Sequence, residues 1–322
     1  MMKIAVTLLF IALAGMSVFG QGPSLQIVTA DPNLPSELFY GNIKVKPVRV
    51  RPGTSPAQLI TIDDSDFFVQ QQYVDFLNRM PDPSGFAFWN SQITACGANA
   101  ACIDGMRVNT SGAFYLSIEF QSTGYLVERM YRVAYGSPNG TSTFNGTHQL
   151  QVPVIRLSEF LPDTKQIGAG VIVNQTGWEA VLEANKQAFA ATFVSRSKFT
   201  TAFPANMPPG QFVDTLNSNA GNPLSQAERD QLVNSLTNQT TTLAQVVRAV
   251  AEDQDLSTAE FNRAFVLMQY FGYLRRDPNT GNDTDYTGYD FWLTKLNQFN
   301  GNFANADMVK AFIVSAEYKG RF

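Results

Sequence analysis

The chain has 322 residues, of which 44% are hydrophobic and 12% aromatic, enough for two or three small domains or for one array of repeats. Its formal net charge of -4 and the lack of a long basic block argue against nucleic acid as a partner. One histidine and two cysteines cannot make a four-ligand zinc site without carboxylates.

Residues 1–20 have the pattern of a secretory signal peptide. Lys3 supplies the positive end, an apolar run follows from Ile4 to Ala14, and small residues near Gly20 suit cleavage. The alternative is an uncleaved anchor, but the apolar run is short for a membrane span. No second long apolar run follows, so we expect a secreted, periplasmic or cell-surface protein without a transmembrane segment after signal removal.

Residues 21–62 are predicted to form an extended basic arm. Apolar and basic residues alternate from Ile43 to Arg51, which is the period of a strand, and Pro47 restricts that strand to an edge or an isolated ribbon. The arm could pair with a partner's sheet edge or grip an acidic glycan. It could also lie on the body of the protein, with its charges preventing aggregation of the edge, and the short run favours this interpretation.

A helical period begins near Asp66 and defines a first unit over residues 63–135. Pro81 and Pro83 end the first helix, because proline lacks an amide hydrogen and disfavours helix in the preceding residue. Ser84 is the expected cap of a second helix, and a third is predicted from about Arg107 to Phe120. The first helix carries one apolar stripe, formed by Val69, Tyr73, Phe76, Leu77 and Met80.

The pattern of the first unit returns at the end of the chain, in a unit over residues 257–322. A degenerate copy is predicted within residues 136–256, after a polar loop and a long helix from Trp178 to Phe193. In that copy Asn217 and Arg229 stand where Tyr73 and Trp89 stand in the first. We expect adjacent units to bury their aromatic faces on one another.

Residues suited to catalysis are few. His148 lies in a polar segment with no carboxylate expected to orient it, so we interpret it as a surface residue. Ser195 and Lys198 have the Ser-x-x-Lys spacing, but the companion motifs are absent. The sequence therefore favours a protein that is not an enzyme, without settling the question.

An inserted turn in the last unit is the candidate calcium site. Carboxylates and amides crowd there, and three of its residues fit positions 1, 3 and 5 of a calcium-binding loop, although position 12 is Thr294 instead of glutamate. Turns of this composition also form for backbone reasons alone. No other cofactor is expected, and the candidate ligands are Asp277, Asn279, Asp283, Asp285 and Thr287.

Two further side-chain groups allow predictions. Cys96 and Cys102 are expected to form a local disulfide in an exported chain. The three tryptophans, Trp89, Trp178 and Trp292, could form a sugar-stacking platform, but their helical spacing favours a role in the core.

The repeated pattern Tyr-x-x-(Phe/Tyr)-Leu-x-Arg, Pro, Gly-x-x-Phe-Trp and Ser-x-Glu-(Phe/Tyr) resembles the bacterial family called domain of unknown function 4214. The residues that carry the resemblance are Tyr73, Phe76, Leu77, Arg79, Asp82, Gly85, Trp89, Ser117, Glu119 and Phe120 in the first copy, and Tyr270, Leu274, Arg276, Gly288, Trp292, Ser315, Glu317 and Tyr318 in the last. The degenerate copy departs from the family at its aromatic positions.

The resemblance implies a mainly helical fold, likened to phycobilisome linker domains, in secreted multi-copy proteins of environmental bacteria such as acidobacteria. It carries over no catalytic residue, and it implies structural roles for the arginine and glutamate of the pattern, with Arg79 paired to Glu119.

We therefore predict a mainly α-helical array of repeat units behind an extended arm. The expected function is that of an exported, non-enzymatic scaffold of the cell envelope or extracellular matrix, whose partner is a surface protein or a polysaccharide. The alternative is a secreted glycan-binding protein or glycan-directed enzyme that uses carboxylates between helical units.

Overall fold

The computed structural model describes residues 25–28, 36–40, 43–51 and 58–322, the first three ranges as backbone only apart from Arg51. The predicted signal peptide lies outside the described residues. The described chain divides into two compact units, with the boundary between Ile60 and Thr61. The fold is mainly α-helical, as predicted.

The first unit contains a four-stranded antiparallel sheet in chain order, where the sequence predicts one strand in an extended arm. Strand β3 pairs with β2 along its length and with β4 only at Arg49 and Val50. At Pro47 the strand therefore has one partner, which suits a residue without an amide hydrogen. The strands are β1 Leu25–Val28, β2 Ser36–Tyr40, β3 Ile43–Val50 and β4 Leu59–Ile60.

The second unit is built from helices and one hairpin. The π-helical turn Gln121–Tyr125 joins helix α4 (Ile118–Phe120) to α5 (Leu126–Tyr135), and a second, Tyr270–Leu274, extends the end of α12 (Gln254–Gln269). The hairpin consists of β5 Asn139–Ser142 and β6 His148–Gln151. The helices are α1 Ser65–Leu77, α2 Pro83–Thr94, α3 Ala100–Tyr115, α4 Ile118–Phe120, α5 Leu126–Tyr135, α6 Leu157–Gly168, α7 Trp178–Ser195, α8 Ser197–Ala202, α9 Pro209–Ala220, α10 Gln226–Thr237, α11 Leu243–Ala251, α12 Gln254–Gln269, α13 Thr287–Gln298, α14 Met308–Ile313 and α15 Ala316–Lys319.

The N-cap of helix α2 lies two residues before the predicted cap. Its N-cap is Asp82, whose Oδ2 accepts the amide of Gly85 at 2.8 Å, and Pro83 occupies the first helical position, where a missing amide hydrogen costs nothing. Ser84 lies inside the helix and donates its hydroxyl to Asp82 instead of capping. The prediction that Ser84 is the cap was wrong because the proline and aspartate before it form a better start.

The third predicted helix is interrupted before Phe120. Ser117 caps the short helix α4 and accepts the amide of Phe120 at 3.1 Å, so α3 ends at Tyr115 and a new helix begins in a different direction. Ser315 caps α15 in the same way, accepting the amide of Tyr318 at 3.1 Å. These two breaks place the glutamates of the repeated pattern, Glu119 and Glu317.

The first and last copies of the pattern contact each other directly in the core. The rings of Phe76 and Tyr273, which occupy matching positions, lie 5.3 Å apart, and both contact Tyr115. Gly272 permits this approach, because a Cβ there would overlap the ring of Phe76. The sequence predicts contacts between neighbouring units in chain order, whereas the structure brings together copies about 200 residues apart.

A buried carboxylate joins the same two copies. Both oxygens of Asp75 accept from the guanidinium of Arg321 at 2.9 Å, and Arg275 approaches Asp75 Oδ1 at 3.0 Å. The Asp75 side chain is 1% exposed. Arg321 also donates to the carbonyl oxygens of Gly272 and Tyr273, so one ion cluster fixes the chain end to the core.

Candidate functional site: two pockets lined by the repeated pattern

The residues that repeat in the sequence line two surface pockets of the helical unit. The first pocket has a volume of about 330 Å³ and the second about 270 Å³. The matching pairs are Tyr73 and Tyr270, Leu77 and Leu274, Arg79 and Arg276, Gly85 and Gly288, Trp89 and Trp292, Ala113 and Ala311, Phe114 and Phe312, Ser117 and Ser315, and Glu119 and Glu317. We call them the first and second signature pockets.

An arginine in the lining of each pocket donates two parallel hydrogen bonds to a glutamate. Arg79 donates from Nε and Nη2 to the two oxygens of Glu119, at 2.8 and 3.0 Å. Arg276 makes the same two bonds to Glu317, at 2.5 and 3.1 Å. The predicted pairing of Arg79 with Glu119 is confirmed. Such charge-assisted, bidentate pairs orient both side chains more strongly than neutral hydrogen bonds.

A second carboxylate reaches each arginine from the adjoining turn. Asp82 lies 3.4 Å from Arg79, and Asp283 lies 2.7 Å from Arg276. Asp283 belongs to the polar insertion, which the first copy lacks. Burial opposes ionisation of Asp82, but the amide of Gly85, the hydroxyl of Ser84 and Arg79 outweigh it and lower the pKa of its carboxyl.

The tyrosine hydroxyl of each pocket lies against a glycine. A Cβ at Gly85 would overlap the Oη of Tyr73, and one at Gly288 would lie 2.6 Å from the Oη of Tyr270. Burial, with the nearby charge of Asp82, raises the pKa of Tyr73 to about 12. The pKa of Tyr270 is also raised, first by burial, so both hydroxyls stay protonated at neutral pH.

A tryptophan lines each pocket and contacts the phenylalanine before it in the chain. The rings of Phe88 and Trp89 meet edge to face at 4.9 Å and 77°, and those of Phe291 and Trp292 at 4.9 Å and 76°. Both tryptophans are only half-buried, and the two phenylalanines are 55% and 38% exposed. Trp89 contacts the buried ring of Phe114, and Trp292 contacts that of Phe312, so the tryptophans that the sequence assigns to the core lie at its edge and also line a pocket.

The degenerate copy forms helices without the aromatic residues of the repeated pattern. Arg229, at the position of Trp89, donates to both oxygens of Asp214 at 2.8 and 2.9 Å on the surface. Asn217, at the position of Tyr73, accepts the amide of Leu224. Helices α9 and α10 are both complete. A tryptophan at the position of Trp89 is therefore not needed for the two helices and their turn to form.

The candidate calcium ligands have protein partners. Asp277 accepts the amide of Leu157, and Asp285 accepts the amide of Thr287. In the described part of the chain no group of three or more His, Cys, Asp or Glu is placed to hold a metal ion. The calcium site stays a prediction, and the other three candidate ligands also contact protein groups, Asn279 with Arg156, Asp283 with Arg276, and Thr287 with Thr143.

The other sequence-predicted side chains have ordinary structural roles, with one difference. Cys96 and Cys102 form the predicted disulfide. His148 does meet a carboxylate, which the sequence analysis did not expect: its Nε2 lies 3.2 Å from Asp290 Oδ2. The hydroxyl of Ser142 donates to the same oxygen at 2.7 Å and not to the imidazole, so this arrangement does not activate a serine nucleophile.

A buried charged cluster lies away from the pockets and gave no sequence signal. Burial, with the charge of Glu260, raises the pKa of Glu128 to about 8. Arg132 Nε lies 3.6 Å from Glu260 Oε1, and both side chains are nearly buried. The three residues come from α5 and α12, whose proximity depends on the tertiary fold.

Comparison of the chain with protein-family models, with curated proteins and with solved structures found no match. Among the described helices, none is both long enough and apolar enough to cross a membrane.

Proposed function

We propose that the chain is an exported, non-enzymatic interaction protein of the cell envelope or extracellular matrix, and that its two signature pockets bind the partner. The observation that carries the proposal is that the same pocket, with its bidentate arginine–glutamate pair, occurs twice in parts of the chain about 200 residues apart. The pattern of residues 1–20 and the disulfide between Cys96 and Cys102 support export. The resemblance to domain of unknown function 4214 supports a bacterial source and the same setting.

The electrostatics of the pockets favour binding over catalysis. A general acid needs a carboxyl that keeps its proton near neutral pH, whereas the pKa of Asp82 is lowered. Both oxygens of Glu119 accept from Arg79, and both oxygens of Glu317 accept from Arg276. Carboxylates held in this way maintain the shape of the pocket and are poorly placed to exchange protons.

The test is co-sedimentation of the purified mature chain with envelopes isolated from the native cells. We expect wild type to pellet with the envelopes and the Trp89→Ala/Trp292→Ala variant to remain in the supernatant. Trp178→Ala is the matched control, since Trp178 is equally half-buried but lies outside both pockets. Equal pelleting of all three proteins, or of none, would contradict the proposal. So would hydrolytic activity that a point change in a pocket abolishes.

A further inference from the structure

We infer that each signature pocket binds a ring of a neutral carbohydrate, so that one chain holds two sites for the same glycan. This inference rests on the proposed function, because it names the ligand class of the same pockets. Each site is formed mainly by one copy of the pattern, and Val173 and Asn174 from outside the first copy also line the first pocket.

The charges of the pockets indicate a neutral ligand. Arg79 donates to Glu119, Asp82 and the carbonyl oxygen of Met80, and Arg276 donates to Glu317, Asp283 and two carbonyl oxygens, so both guanidiniums are occupied. Each pocket has two carboxylates to one arginine, and both carboxylates accept from that arginine, so a neutral ligand displaces no contact between charges. Asp82 also accepts from the amide at the start of α2, which reduces its remaining negative field.

The walls suit a ligand with one apolar face and several hydroxyls. Trp89 lines the first pocket and Trp292 the second, and the negative face of an aromatic ring attracts the C–H bonds on one side of a sugar ring. The lining of the first pocket also has hydrogen-bond donors and acceptors, in Tyr73, Ser84 and Asn174. The pocket volumes of about 330 and 270 Å³ lie at and just below the lower end of the range of roughly 300–1,000 Å³ for small-molecule sites, which suits a sugar residue or two.

Two equivalent pockets on one chain would favour a polymer over a short sugar. When one site has bound, the second meets the same polymer at a raised effective concentration, so the overall affinity can exceed that of either site. Weak binding at each pocket is then sufficient to retain the protein on a polysaccharide matrix.

The test is an array of neutral, acidic and amino oligosaccharides probed with the labelled mature chain. We expect signals on neutral glycans for wild type and for Trp178→Ala, and at least a tenfold loss for Trp89→Ala/Trp292→Ala. The variant Trp89→Phe/Trp292→Phe keeps aromatic rings in both pockets and should retain part of the signal. Circular dichroism of each protein separates lost binding from lost folding.

Three results would overturn the inference: no glycan bound, signals confined to charged glycans, or neutral-glycan binding that survives the double alanine change. If the array fails while envelope co-sedimentation still depends on the two tryptophans, the pockets bind a protein and the proposed function stands. If co-sedimentation also fails to depend on them, the proposed function falls with the inference.

Discussion

Replacing Asp75 with asparagine should destabilise the helical unit much more than breaking an equally well-formed surface pair. Asp75 is 1% exposed and holds two arginines, Arg275 and Arg321, through three contacts of 2.9 to 3.0 Å. Asparagine keeps the size of the side chain but removes the charge, which leaves two guanidiniums poorly compensated in a buried site. Removing one partner of a buried ion pair costs about 3–5 kcal/mol.

The matched control is Asp214→Asn. Asp214 also accepts two bonds from one arginine, Arg229, at 2.8 and 2.9 Å, but its side chain is 57% exposed. Exposed pairs contribute about 0–1 kcal/mol, because water solvates the separated charges. Both aspartates accept a bidentate pair of bonds from one arginine, and the two sites differ in burial and in the second arginine at Asp75.

Thermal unfolding followed by circular dichroism and calorimetry measures both variants. For a domain of this size each kcal/mol shifts Tm by about 2–4 °C, so Asp75→Asn should lower Tm by about 6–20 °C and Asp214→Asn by about 0–4 °C. A second change, Arg321→Met, should cost less in the Asp75→Asn background than in wild type, because the interaction is already lost. Equal Tm shifts for the two aspartate variants would refute the reasoning.

Three further predictions follow from named contacts. Gly85→Ala should destabilise by about 1–3 kcal/mol through overlap with Tyr73 Oη, whereas Gly105→Ala, with open space around it, should not; chemical denaturation measures both, and equal values would contradict the contact. Burial raises the pKa of Glu128 from 4.5 to about 8, so the folded state holds this proton more tightly than the unfolded state, and stability is lost as the pH rises from about 4.5 to 8. Glu128→Gln should therefore raise Tm at pH 8 and leave it nearly unchanged at pH 4.5. A Tm that the substitution lowers at pH 8 would show that the carboxyl is ionised in the folded state. The calcium hypothesis predicts that millimolar calcium raises the Tm of wild type but not of Asp285→Ala, and an unchanged Tm in wild type would exclude it.

Local chemistry made part of this structure predictable. The prolines after Met80 and the apolar stripe before it mark the end of the first helix, and the short spacing of Cys96 and Cys102 in an exported chain indicates their disulfide. The pairing of Arg79 with Glu119 was expected from the family resemblance, and the structure contains it. In each case the signal lies within one helix, one turn or one copy of the pattern.

The contacts that were missed depend on how distant segments pack. Asp75 has no counterpart in the last copy, where Gly272 stands, so the repeat itself gave no hint of its arginines. The tryptophans were assigned to the core because helical spacing identifies a stripe but not what covers it. The polar segment around Asn139 forms a hairpin, and the carbonyl oxygen of Thr141 accepts the amide of Tyr286. No local pattern encodes a contact between segments so far apart in the sequence.

The most direct test of the two-pocket account is the number of binding sites per chain. Isothermal titration calorimetry, with the short neutral oligosaccharide bound most tightly on the array, should give two equivalent sites in wild type. Trp89→Ala and Trp292→Ala should each leave one site, and the double variant none. A single site in wild type, or a stoichiometry unchanged by either substitution, would contradict the claim that the repeated pattern builds two equivalent binding pockets.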